Sequence, residues 1–147
     1  MPRVYFDVCC LNRPFDDQNQ ARIRLEAEAV LMALTRCETG DYEWIGSEVI
    51  DFEINRTPDR ERRRRTQVLA SHAREYVVAG KAEFERAQQL EAWNISALDA
   101  LHLACAECGG ADVFLTTDDQ LLRKVAAYAD QLRIRVENPL TWLREES

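Results

Sequence analysis

Lysine is almost missing from this chain: Lys81 and Lys124 are the only two among 147 residues. Lysine and arginine together number 19 against 26 aspartates and glutamates, a formal charge of −7, so the overall field opposes a polyanion. Nucleic acid would have to be met locally, for instance at a bound cation, and not by a generally basic surface. Histidine is just as scarce, with only His72 and His102, whose spacing fits no ligand motif. No uninterrupted apolar stretch approaches the roughly 18 residues of a membrane span, and no basic region followed by an apolar targeting run opens the chain. The five cysteines, Cys9, Cys10, Cys37, Cys105 and Cys108, are odd in number and lack the dense spacing of a secreted scaffold, which predicts reduced cytoplasm and no membrane. Cys105 and Cys108 have CxxC spacing without a second pair. Because Ala104, Cys105 and Cys108 share an apolar helical stripe, packing is favoured over zinc.

What is present suits a single domain over residues 1–147, since 46% apolar content with three Trp, five Phe and four Tyr can build a sizeable core. Val4-Tyr5-Phe6 is a continuous apolar run, as expected of a strand covered on both faces, and it ends at Asp7. Residues 19 to 38 place Ile23, Ala27, Val30, Leu31, Leu34 and Cys37 at helical spacing, with Gly40 as the stop. Tyr42-Glu43-Trp44-Ile45 predicts a second strand, Gly46-Ser47 a turn, and Ser47 the cap of a helix from Glu48 to about Thr57. Residues 59 to 80 read as a helix that is polar in its first turns, and 82 to 92 as a shorter one carrying Phe84, Ala87 and Leu90. Ser96 caps a helix ended by Gly109-Gly110, and Val113-Phe114-Leu115 is a third strand. Thr116-Thr117-Asp118 leads into a helix reaching Ala129, residues 132 to 136 alternate as a partly covered strand, and Pro139 opens a terminal turn with Trp142 and Leu143. The expectation is an α/β fold: a central parallel sheet of about four strands flanked by helices, with ligands beyond the carboxyl ends of the strands.

Four carboxylates fall where this chain changes element. Asp7 follows the first strand, and its plain reading is a turn-starting residue. Glu53 lies at the edge of an apolar helix face, with Glu48 a competing candidate and surface snorkelling the plain reading. Asp99 sits three residues after Ser96, as in a capping box, and Asp118 can cap the helix that follows it. Each is ordinary alone. Together, converging carboxylates repel and raise one another's pKa unless a cation neutralises them, and Mg²⁺ or Mn²⁺ suits such a donor set better than zinc. His102, three residues after Asp99, is favoured as a structural or supporting group over a catalytic one. Thr116 and Thr117 are candidates for capping or for holding a water near Asp118, and Asn12 and Arg13 for rimming the crevice, against an ordinary turn role. The run Arg60, Arg62, Arg63, Arg64 and Arg65 reads first as a solvated helix face and second as a phosphate contact.

These segments carry a resemblance over nearly the whole chain. Val4-Tyr5-Phe6-Asp7, Ile50-Asp51-Phe52-Glu53-Ile54, Ser96-Ala97-Leu98-Asp99-Ala100-Leu101-His102-Leu103-Ala104 and Leu115-Thr116-Thr117-Asp118 resemble the four acidic segments of the PIN domain, the ribonuclease fold of many bacterial toxin–antitoxin toxins. The last two are the specific ones. The resemblance implies a three-layer PIN-like fold and a ribonuclease dependent on one or two Mg²⁺ or Mn²⁺ ions. Asp7, Asp99 and Asp118 would be metal ligands, and Glu53 would bind metal or orient the attacking water. It further implies an RNA substrate, an antitoxin that blocks the acidic crevice with a basic side chain, and a homodimer, for which residues 19 to 38 are a candidate surface. The family often has Asn two residues after the first Asp; here that residue is Cys9, so the support around Asp7 must differ, with Asn12 the candidate to compensate. Two rivals stand beside the ribonuclease. One is a PIN-like scaffold with weakened catalysis. The other is a phosphotransferase with Asp7 as nucleophile, disfavoured because Asp7-Val8-Cys9 lacks a second acid two residues on.

Overall fold

The computed structural model of the chain describes residues 1–146. Strand β1 (Arg3–Phe6) is followed by the short helix α1 (Val8–Asn12), a 3-10 turn at Arg13–Phe15 and the long helix α2 (Ala21–Thr39). Then come β2 (Glu43–Ser47), α3 (Glu48–Asn55), α4 (Arg60–Ala70), β3 (Glu75–Val77), α5 (Lys81–Glu91) and α6 (Ala97–Cys108). The chain continues through β4 (Val113–Leu115), α7 (Asp119–Ala126), a 3-10 turn at Ala129–Gln131, β5 (Arg135–Glu137) and α8 (Pro139–Glu146).

The strands form one five-stranded sheet in the order β3-β2-β1-β4-β5, with every neighbouring pair parallel. Its centre is the pairing of Tyr5 with Phe114 and Phe6 with Leu115, all four fully buried, as expected for strands covered on both faces. The chain moves outward from β1 through β2 to β3, then returns to β1's other side with β4. That reversal makes the β1/β4 boundary the switch point, where a crevice opens beyond the carboxyl ends of both strands. Asp7 follows β1, and Thr116 to Asp118 follow β4, so the topology delivers both to one crevice.

The local signals mostly act as expected. Gly40, at φ 89°, terminates α2 in the left-handed region that favours glycine. Ser47, Ser96 and Asp118 accept backbone amides at the starts of α3, α6 and α7. Helix α3 ends at Asn55, short of Thr57, whose position before Pro58 disfavours helical backbone. Gly46 lies within β2 and not in a turn; a Cβ there would meet that of Ala73 at 2.9 Å, so the chain after α4 crosses directly over it.

Other expectations change. The fifth strand, β3, falls inside the segment read as helix, because an edge strand with Glu75 and Tyr76 exposed has no apolar run to reveal it. The terminal turn is the full helix α8, which buries Trp142 and Leu143. The last strand occupies Arg135–Glu137, shifted from 132 to 136, and α7 ends at Ala126. Leu31, Phe84 and Cys108 are exposed, so the apolar stripes of α2, α5 and α6 are narrower than periodicity implied.

Candidate metal centre

Asp7 is held on every side by neutral donors. Its Oδ1 accepts from the Val8 amide at 2.8 Å, capping α1, while Oδ2 accepts from Thr116 Oγ1 at 2.8 Å and from Cys9 Sγ at 3.4 Å. Its own amide donates to the Leu115 carbonyl at 2.9 Å, tying the end of β1 to the end of β4. The carboxylate is only 6% exposed.

Glu53 projects from α3 into the same crevice. Its Oε1 lies 2.8 Å from His102 Nε2, and one donor atom each of Asp7, Glu53 and His102 fall within 4.8 Å of one another. Glu48, the competing glutamate, points elsewhere and accepts from the Ala79 amide at 2.6 Å. Asp99 and Asp118 stand outside that tight group. Asp99 is half-buried in the first turn of α6, whereas Asp118 is exposed, with Oδ1 engaged in capping α7.

Electrostatics link these positions. Burial pushes the Asp7 carboxyl above the usual carboxylate range; His102 and the Thr116 hydroxyl oppose the rise, and the charges of Glu53 and Asp99 add to it. Asp99 is raised in the same way, first by burial, with Asp118 and Glu53 contributing repulsion. Among the described residues no Lys or Arg forms an ion pair with any of the four. A buried carboxylate supported by neutral donors alone, beside further carboxylates, fits a hard divalent cation.

The neighbouring candidates divide. Thr116 bonds Asp7 directly and also accepts the Asp118 amide at 3.1 Å, so it joins two of the acids instead of serving Asp118 alone. Cys9 takes the supporting position: besides its contact with Asp7, its sulfur accepts from the Thr117 amide at 3.4 Å. Asn12 does not compensate, since its Oδ1 is buried without a partner. Arg13 is committed to Glu26 and Asp16. Within the arginine run, Arg62 bonds Asp16 and the Phe15 carbonyl, Arg63 the Thr57 carbonyl and Arg65 Glu61, leaving the Arg60 and Arg64 side chains without a polar partner among the described residues. Tyr5 and Ser47 were not anticipated as site groups. The available signal was a tyrosine in a doubly covered strand, whose hydroxyl needs a buried partner; here it contacts both Ser47 Oγ and His102 Nδ1 at 2.7 Å.

A central parallel sheet carrying acids at the ends of β1 and β4 defines the class, and comparison with known sequences agrees. Residues 4–128 match the PIN domain, and the chain belongs to that family. No curated protein matches it by sequence. A similar solved chain occurs in the crystal structure of VapBC2 from Rickettsia felis bound to a DNA fragment from their promoter. The two superpose with a TM-score of 0.58 at 12% identity, covering 92% of this chain and 98% of that one, a likeness of fold. No helix among the described residues is long and apolar enough to cross a membrane.

Proposed function

We propose that this chain is a ribonuclease that hydrolyses RNA phosphodiester bonds with Mg²⁺ or Mn²⁺, and that it is the toxin of a toxin–antitoxin pair. The observation carrying this reading is the buried Asp7 carboxylate, without a cationic partner, meeting Glu53 at the switch point of a PIN fold. Asp7, Asp99 and Asp118 would hold the cation, with Glu53 completing the set or orienting the attacking water. When bound, the cation supplies a water of lowered pKa and offsets charge on the leaving oxygen. The chain's own part is placement. Thr116 and the Val8 amide fix the two oxygens of Asp7, and His102 fixes Oε1 of Glu53.

The fold likeness to the VapBC2 chain supports an antitoxin partner. So does an apolar groove of about 320 Å³ lined by Val49, Phe52, Phe84, Leu98 and Leu101, between the helices that carry Glu53 and Asp99. Phe52 and Phe84 are each 54% exposed there. An antitoxin segment lying in that groove could carry a basic side chain to the acids. A homodimer would use the face of α2 and α8, where Leu25, Met32 and Leu140 are exposed.

The test is cleavage of a mixed structured and single-stranded RNA pool with Mg²⁺, Mn²⁺ or EDTA, alongside Asp7→Asn and Asp99→Asn. Cleavage lost with EDTA and in both variants supports the reading. Turnover retained in either variant sinks the assignment of acids, and a folded, Mn²⁺-binding chain without cleavage favours the scaffold alternative.

A further inference from the structure

Geometry alone would admit His102 as a cation ligand, since its ring nitrogen lies among the donor atoms of Asp7 and Glu53. Its surroundings argue otherwise. The imidazole is fully buried and both nitrogens are engaged, Nδ1 with Tyr5 Oη at 2.7 Å and Nε2 with Glu53 Oε1 at 2.8 Å. Tyr5 Oη also touches Ser47 Oγ at 2.7 Å, and Ser47 Oγ accepts the Ile50 amide at 3.2 Å.

Ser47 is 1% exposed and Tyr5 is fully buried, and an unsatisfied buried hydroxyl is costly, so both hydroxyls are held to these partners. Tyr5 therefore fixes the imidazole from its Nδ1 side while Nε2 faces Glu53.

We infer that His102 is a positioning residue and not a cation ligand: a buried hydrogen-bond relay from Ser47 through Tyr5 holds its ring, and Nε2 fixes Glu53 Oε1 in the crevice with Oε2 left for the cation or its water. The inference rests on the ribonuclease reading only in taking Glu53 to face a cation. Sequence alone could not expose it, because the three partners of the relay come from β1, the end of β2 and α6.

Mn²⁺ titration followed by electron paramagnetic resonance gives a readout independent of turnover. Tyr5→Phe keeps the ring stacked on Phe114, 5.3 Å away, and removes only the hydroxyl. It is expected to weaken Mn²⁺ binding about 10-fold, as loss of outer support does at metal sites. His102→Gln, which can still donate to Glu53, should bind Mn²⁺ more tightly than His102→Leu. Unchanged affinity in Tyr5→Phe, or equal losses in the Gln and Leu variants, would overturn the relay, the second result indicating direct ligation. Should the Leu variant fail to fold, Tyr5→Phe still decides. If Mn²⁺ binding responds to the variants as expected but the unaltered chain cleaves no RNA, the activity is lost and the relay stands, so the two readings fail separately.

Discussion

Among the described residues three carboxylic side chains are buried, and two are treated quite differently from the third. Glu107 is capped by Arg86 at 2.7 Å and accepts the Arg133 amide at 2.8 Å. Glu26 meets Arg13 at 2.9 Å, Arg22 at 3.3 Å and the Asn138 side chain at 2.6 Å. Asp7 is similarly buried but has only a hydroxyl, a thiol and an amide. Burying a charge without a counter-charge is costly. The chain therefore supplies arginine where a carboxylate joins elements and withholds it where β1 and β4 end. Glu26 ties α2 to the turn after α1 and to the segment before α8, and Glu107 ties α6 to α5; Asp7 ties nothing that a neutral side chain could not.

The largest test of this contrast is Arg86→Met. It leaves Glu107, whose side chain is fully buried, without its cation, and should cost about 3–5 kcal/mol, a fall of about 10–16 °C in melting temperature for a domain of this size. A loss no greater than that of a surface change would erase the distinction. Next comes cation binding. Mn²⁺ at about 100 times its Kd should stabilise the unaltered chain by about 2.7 kcal/mol and leave Asp7→Asn unmoved in thermal melts. Stabilisation of both would place the ion elsewhere.

A third test uses pH in EDTA. Asp7 and Asp99 have folded-state pKa values above their unfolded ones, so between about 3.9 and the raised values the folded state holds more protons. Stability contributed by these groups is present at the acid end and declines as pH rises through the folded pKa. Asp7→Asn should therefore gain stability relative to the unaltered chain across that window, in denaturant titrations at successive pH values. The opposite slope would mean that the folded chain already supplies a counter-charge to the Asp7 carboxylate.

The sequence made the scaffold of this contrast legible but not its wiring. The doubly covered strands at Val4-Tyr5-Phe6 and Val113-Phe114-Leu115 could be read from their unbroken apolar runs, and the helix starts from Ser47, Ser96 and Asp118, because those signals are local. The edge strand at Glu75–Val77 could not, since its only evidence is backbone pairing with β2. At the site, Asp7 and Glu53 do meet, while the choice against Glu48 required knowing that the Ala79 amide takes the latter. The Glu26 cluster left one overlooked trace, a glutamate on the apolar stripe between Ile23 and Ala27 with Arg22 one turn earlier. The CxxC spacing, by contrast, carried no hidden site: Cys105 is buried and Cys108 exposed.

The smallest expected effect concerns Cys9, and it sharpens the comparison most finely. Its thiol donates weakly to Asp7 Oδ2, and its sulfur accepts weakly from the Thr117 amide, both at 3.4 Å. An asparagine carries both functions on one amide, a stronger N–H donor and a stronger carbonyl acceptor. Cys9→Asn should therefore bind Asp7 and Thr117 better without adding charge. Exchanging a weak hydrogen bond for an ordinary one is worth about 0.5–1.5 kcal/mol, so Mn²⁺ affinity should rise by no more than about 10-fold, with little change in melting temperature. A loss of affinity would mean that the larger amide displaces Asp7, and that this crevice is shaped around sulfur.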